Sequence, residues 1–358
     1  MSSPILSAGR SFARPAVHLD EVVVRRLARH CLRFRDADDR AAWFQFGTTL
    51  ALFLATAGLM LFGAASGVPA LLALFLPAGG LLVRLFGIQH DCGHGSYFSS
   101  RRANRVVGRL LSVATLTPFG YWSRSHAVHH VTAGDLGRRG IGDVDTLTVD
   151  EYAALSPGAQ WRYRLYRHPL LLHVVGPPLY FILFQRSPFG QALPASEAWR
   201  SIMGLNLALL AVYGTLIALF GPAAVALAVL PTAFVASWVG GWLFFVQHQF
   251  EDTHWEASED WNLQRAALSG SSYYVMPKVL QWFTANIGLH HIHHLNCRIP
   301  NYRLQACLDG EPLLGNISRL SISESLRCVG LALWDPEERK LVGFRSIGPK
   351  IGLDLREA

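Results

Sequence analysis

Histidine is the residue type that could do chemistry in this chain, and its placement says what kind. Of 15 histidines, most fall in three tight groups with one further isolated residue. In His90-Asp91-Cys92-Gly93-His94 the two imidazoles lie one helical turn apart and project from one face. His126, His129 and His130 stand at i, i+3 and i+4, which again puts two or three rings on one side of a helix. The run His290-His291-Ile292-His293-His294 repeats that spacing, and His248 stands alone. Free imidazoles gathered at one place would be electrostatically awkward, whereas a bound cation gives every ring a partner.

The nine histidines His90, His94, His126, His129, His130, His248, His290, His293 and His294 are therefore candidate metal ligands. One tetrahedral zinc uses about four. Two metals with four or five nitrogens each, and a position left open for oxygen or substrate, would absorb them all. Imidazole suits iron, zinc and copper alike, so ligand type does not select the metal. Two other classes compete. His90-Asp91-x-x-His94 imitates the His-Glu-x-x-His pattern of zinc proteases, but that leaves two clusters unemployed and supplies Asp where Glu would be the base. A metal transporter would place polar groups near the bilayer midplane, and these ligands lie outside the apolar runs.

The elements that must position these rings are membrane helices. Half the chain is apolar (51%), and no Lys, Arg, Asp, Glu or His occurs from Ala41 to Val83 or from Ser201 to Gln247. A span needs about 20 apolar residues. Four transmembrane helices are expected, over 43–62, 69–88, 202–220 and 222–245, paired as two hairpins by the turn signals Gly67-Val68-Pro69 and Gly221-Pro222. A soluble core would show charged helix faces, which these stretches lack. The fold expected is an all-α integral membrane protein whose two hairpins carry a cytoplasmic helical cap with the histidine-rich site. It divides into an amino-terminal segment (1–42), a main domain (43–304) and a tail (305–358).

Basic residues crowd the amino-terminal segment (Arg25, Arg26, Arg29, Arg33, Arg35) and the central region (Arg101, Arg102, Arg105, Arg109, Arg138, Arg139), and neither hairpin turn carries any. The positive-inside rule then puts both termini and the histidines in the cytoplasm, as in a bacterial inner membrane protein. The net charge of +7 is accounted for by topology and anionic lipid, without nucleic acid. No signal peptide is expected at the amino terminus. The five cysteines lack CxxC spacing and are expected as thiols. Leu170 to Phe184, broken by Gly176-Pro177-Pro178, is too short to span and reads as interfacial, as does Val106 to Tyr121. A capping box at Ser321 and Glu324 predicts a helix continuing through Leu326 to Trp334.

The three boxes, His-x-x-x-His after the second span and His-x-x-His-His twice, resemble those of the membrane fatty acid desaturase family over roughly 43–304. The strongest local similarity is to bacterial acyl-lipid desaturases of the delta-12 (omega-6) type. It is carried by Trp242 to Asp252, by Asn286 to Leu295, and by Ile299-Pro300-Asn301-Tyr302-Arg303-Leu304. The resemblance implies two iron ions held by the nine histidines, with O2 as co-substrate and an acyl lipid as substrate. It also implies two electrons from a separate donor, a ferredoxin or a cytochrome, because no haem motif or iron-sulfur cysteine spacing occurs in the chain. The product that the resemblance implies is linoleoyl from oleoyl; hydroxylases and carotenoid or sphingolipid oxygenases share the boxes. His291 is extra to the third box and is expected in a supporting position. His254 and Leu289 stand where the resemblance would place Tyr, and Cys297 where it would place Pro.

Metal-bound imidazoles donate their second N–H to an acid or carbonyl, which makes Asp91, Glu251 and Asp252 the expected orienting acceptors. Taking hydrogen from a methylene also requires a chain held still. Trp238 and Trp242 are expected to wall an apolar tunnel for it.

Overall fold

The computed structural model describes residues 19–188 and 194–347. The outer parts of the expected amino-terminal segment and tail, with 189–193, lie outside the described residues. Among the described residues, four helices are long and apolar enough to cross a membrane: Asp39–Ala65, Pro69–His94, Ala195–Phe220 and Pro222–His248. Each is longer than its apolar core alone suggested, because charged residues can continue a helix where its ends meet water. Asp38 caps the first, accepting hydrogen bonds from the Arg40 and Ala41 amides at 3.0 and 3.1 Å. The second hairpin turns on Gly221 alone, at φ 81°, with Pro222 opening the next helix; that backbone conformation costs glycine little and the proline has no amide to leave unpaired.

The four spans are unequal. Only 17% and 11% of the apolar stretches of the first and third are buried against protein, compared with 44% and 33% for the second and fourth. The second and fourth are therefore the inner pair, and lipid must cover most of the others. They cross closely where Gly79 meets Val235; a Cβ at Gly79 would sit 2.6 Å from the Val235 side chain. Arg84, just beyond the charge-free stretch, is buried within the second span. Its guanidinium donates to Thr49 Oγ1 at 3.2 Å and to the Trp282 carbonyl, and lies over the Trp282 ring. It thereby ties the short helix Lys278–Phe283 to the bundle.

A cap covers the end of the bundle where the second and fourth spans finish. It is built from Glu21–Cys31, Arg101–Thr115, Phe119–Thr132, His290–Leu295 and Asn301–Asp309, with shorter helices between. The apolar segment Leu170–Arg186 is shorter than a span, as expected, and its Pro177 packs against Gly241 of the fourth. Two small sheets also occur in the cap. Leu147–Thr148 pairs in parallel with Leu333–Asp335, which pairs antiparallel with Lys340–Val342, and Tyr273–Val275 pairs in parallel with Arg319–Ser321.

The tail departs from expectation at that point. The capping box of Ser321 and Glu324 forms, but its helix ends at Ser325. Leu333 and Trp334 lie instead in a strand, where pairing buries both almost completely. Tertiary burial overrides the local helical signal there. All five cysteines are free thiols, with Cys31 and Cys307 in sulfur contact at 3.7 Å.

Candidate metal centre

Four separate elements bring the rings together. His90 and His94 ride on the last turns of the second span, and His248 ends the fourth, so these three lie on the span helices themselves rather than after them. His126, His129 and His130 share one helix of the cap, and His290, His293 and His294 another. The i, i+3, i+4 spacing does the local work: each helix delivers its rings to one side. The result is two groups, His90, His94, His126, His130 and His293 in one and His129, His248, His290 and His294 in the other. Within each group the ligating nitrogens lie within 4.8 Å of one another.

The spacing is that of ligands around an ion. His126 Nε2 is 2.9 Å from His90 Nε2 and 3.1 Å from His130 Nε2, and His293 Nε2 is 3.0 Å from His130 Nε2. In the other group His248 Nε2 is 3.1 Å from His129 Nε2 and 3.0 Å from His290 Nε2. Nitrogens about 2.1 Å from a shared ion stand ~3.0 Å apart along an octahedron edge and ~3.4 Å apart along a tetrahedron edge. These contacts are close enough for shared coordination, and five rings exceed what a tetrahedral zinc takes.

Hydrogen bonds behind three of the rings fix which nitrogens face inward. His248 Nδ1 donates to the Gly270 carbonyl at 3.0 Å, and His129 Nδ1 to the Asp143 carboxylate. In the neutral rings both Nε2 atoms then present lone pairs to each other, a repulsive contact that a cation between them reverses. His90 Nδ1 likewise donates to Asp91 Oδ1 at 3.0 Å. Burial first, and neighbouring imidazoles next, hold His126, His130, His290, His293 and His294 well below the ordinary histidine range. They stay neutral at pH 7, as ligands must. The donor set fits a pair of metal ions.

Asp91 occupies an orienting position. Glu251 and Asp252 do not: both are exposed in the turn after the fourth span, where water solvates them more cheaply than a buried site would. The second carboxylate against a ring belongs to Asp143, which sequence reasoning missed. Nothing in Gly142-Asp143-Val144-Asp145 distinguishes it from a solvated loop acid. His291 also departs from its expected supporting role. It is fully buried, but its Nε2 donates to the Leu314 carbonyl at 2.9 Å and its ring stacks on Tyr273. It is a core histidine of the cap.

Trp238 and Trp242, expected to wall a tunnel, lie in different surroundings. Trp238 is 44% exposed on the outside of the bundle. Trp242 packs against His173 and Phe245 and directs its indole N–H at Tyr274. An apolar cleft lies elsewhere, between the second and fourth spans and the cap, lined by Leu82, Phe86, Leu116, Phe181, Ala236 and Gly240. Phe86 meets Trp122 edge to face at 5.1 Å, and Trp122 stacks on His126 at 4.8 Å. One aromatic pair therefore separates the cleft from the five-histidine group.

Residues 65–311 match the sequence profile of the fatty acid desaturase family. A fatty acid desaturase of Bacillus subtilis (strain 168) is 40% identical over 276 residues, covering 77% of this chain and 78% of that protein. An sn-1 acyl-lipid omega-3 desaturase (ferredoxin) of Synechocystis is 28% identical over 282 residues, covering 69% of each. With four spans and a histidine cluster able to hold metal at their end, the chain belongs to the membrane fatty acid desaturase family.

Proposed function

We propose that this protein removes two hydrogens from adjacent methylenes of a membrane lipid's acyl chain while O2 is reduced to water with two electrons from a separate donor. The observation that carries the reading is the placement of two histidine groups of metal-ligand spacing at the end of an apolar cleft. The five-histidine and four-histidine groups would hold one iron ion each, and the pair would supply O2 activation and the oxidising power to attack an unactivated chain.

The protein's own contribution is positioning and exclusion. Asp91, Asp143 and the Gly270 carbonyl hold His90, His129 and His248 with Nε2 inward. Leu82, Phe86 and Phe181 give the acyl chain an apolar channel and keep water from it, and Trp122 fixes how close a methylene comes to His126. Iron rather than zinc is supported by family membership and by a group of five rings, more than a tetrahedral zinc takes.

Local similarity supports delta-12 (omega-6) placement, oleoyl to linoleoyl. The name of the Synechocystis relative favours omega-3 as the second reading. That name also supports a ferredoxin-type donor, which would dock on the basic surface of Arg101, Arg102 and Arg105; turnover should then fall steeply with salt. The basic cap end would face the cytoplasm. The test is expression in a host that makes only monounsaturated lipids, with chromatography of its fatty acids and iron analysis of purified protein. New dienes with about two irons per chain are expected. Hydroxylated chains, or protein that binds no iron, would reject the reading.

A further inference from the structure

Beside His248 of the four-histidine group lies a small pocket, lined among others by Asp143, Gln249, Thr253, His254 and Trp255. Two of its walls carry polar atoms without a partner. The Asp143 side chain is 8% exposed, and while one oxygen accepts from His129, Oδ2 has no hydrogen bond. Trp255 is 5% exposed, and its Nε1–H has none either. A buried polar atom left without a partner destabilises the fold, so both call for one. One is an acceptor and the other a donor, which is the complement of a single water molecule, and the pocket has room for about one. His254 stands in the same wall with its side chain 16% exposed, and its Nε2 lies 3.2 Å from Glu256 Oε1, which Arg339 also holds at the surface. The pocket thus runs from a surface ion pair to the carboxylate that orients His129.

The reaction assigned above needs such a path. Converting –CH2–CH2– and O2 to –CH=CH– and two waters consumes two electrons and two protons. An apolar cleft conducts neither protons nor water. We propose that the pocket between Asp143 and Trp255 is a water site through which protons reach, and product water leaves, the four-histidine group, with His254 as its outer gate. This rests on the desaturase reading. It also gives a use to His254, a position where the family resemblance led us to expect tyrosine, another residue with a polar, proton-carrying tip.

The test has two arms. In metal-free protein with 15N-labelled indoles, the Trp255 signal, identified by its loss in Trp255→Phe, reports how fast its N–H exchanges with D2O. Exchange should be slowed at least tenfold in His254→Phe, which plugs the mouth with an apolar ring, and restored in His254→Tyr. In iron-loaded protein, His254→Phe should lower turnover about tenfold and enlarge the solvent deuterium isotope effect, with His254→Tyr recovering both. A Trp255 N–H equally protected in wild type and His254→Phe would overturn the water site. Unchanged turnover and isotope effect in His254→Phe would overturn the proton route. If the wild type desaturates nothing, the functional reading fails instead, and the exchange arm still decides the water site by itself.

Discussion

Asn301 holds Asp91 by two hydrogen bonds to one oxygen: its backbone N–H and its side-chain Nδ2 donate to Asp91 Oδ2 at 2.7 and 2.9 Å. The other oxygen of Asp91 accepts from His90 Nδ1. A residue at the start of a cap helix thus sets the aim of an imidazole on a membrane span, 210 positions away from its contact at Asp91. Removing the carboxylate frees the ring to rotate. Asp91→Ala should lower metal affinity about 10- to 100-fold while the protein stays folded, and Asn301→Ala should do the same more weakly. Iron per chain, read beside the thermal midpoint, checks both.

The two histidine groups should be separable by mutation. His293→Ala removes a ring from the five-membered group and His290→Ala one from the four-membered group. Each is expected to abolish desaturation and to lower bound iron, by about half if the other group still loads. His291→Ala is the contrast. It should retain iron but lose about 1–3 kcal/mol of stability, because the buried Leu314 carbonyl loses its donor. Loss of iron in His291→Ala would contradict its placement in the cap core.

Acid should act through the buried imidazoles. Burial pushes His291 down from its ordinary value to about 4. In the unfolded chain this ring takes a proton as pH falls below about 6.5, and in the folded protein it resists until about 4. Protons therefore favour the unfolded state within that window, so the metal-free protein should be stable above pH 6.5 and lose stability as pH falls from about 6.5 to 4. The slope from one such ring is about 1.4 kcal/mol per pH unit. Chemical unfolding at several pH values measures it, and His291→Gln should flatten the curve.

The cleft predicts where bulk is felt. A Cβ at Gly240 would stand 4.0 Å from the Phe181 ring, so Gly240→Leu fits only by filling the space beside it. Desaturation should fall about tenfold or shift toward shorter chains. Trp238→Ala, on the exposed side of the same helix, should leave product position and rate unchanged. Fatty acid chromatography on both variants decides between this cleft and a channel walled by Trp238.

How much of this was legible beforehand depended on the range of the interaction involved. The spans were readable because a bilayer imposes a local rule: about 20 residues without charge must be helical. The histidine boxes were readable because helical periodicity puts i, i+3 and i+4 on one face. Both signals lie within a few turns of chain.

What the sequence could not show were contacts between distant segments. It gave no reason to prefer Asp143 over Glu251 or Asp252, because a carboxylate's role depends on which loop folds over His129. It did not sort His291 from its neighbours, since two residues in one short helix face opposite surroundings only once Leu314 and the second histidine group are in place. Nor did it reveal that the cleft is walled by Phe86 and Phe181 rather than Trp238, which required knowing how the second span, the fourth span and the 170–186 segment pack. Local patterning by itself determined which residues could bind metal and which of them share a helical face; the tertiary structure decided how the rings divide into two groups, what holds His90, His129 and His248, and where an apolar cleft lies beside them. The reason is physical: periodicity is a property of neighbours in the chain, and a site is a property of neighbours in space.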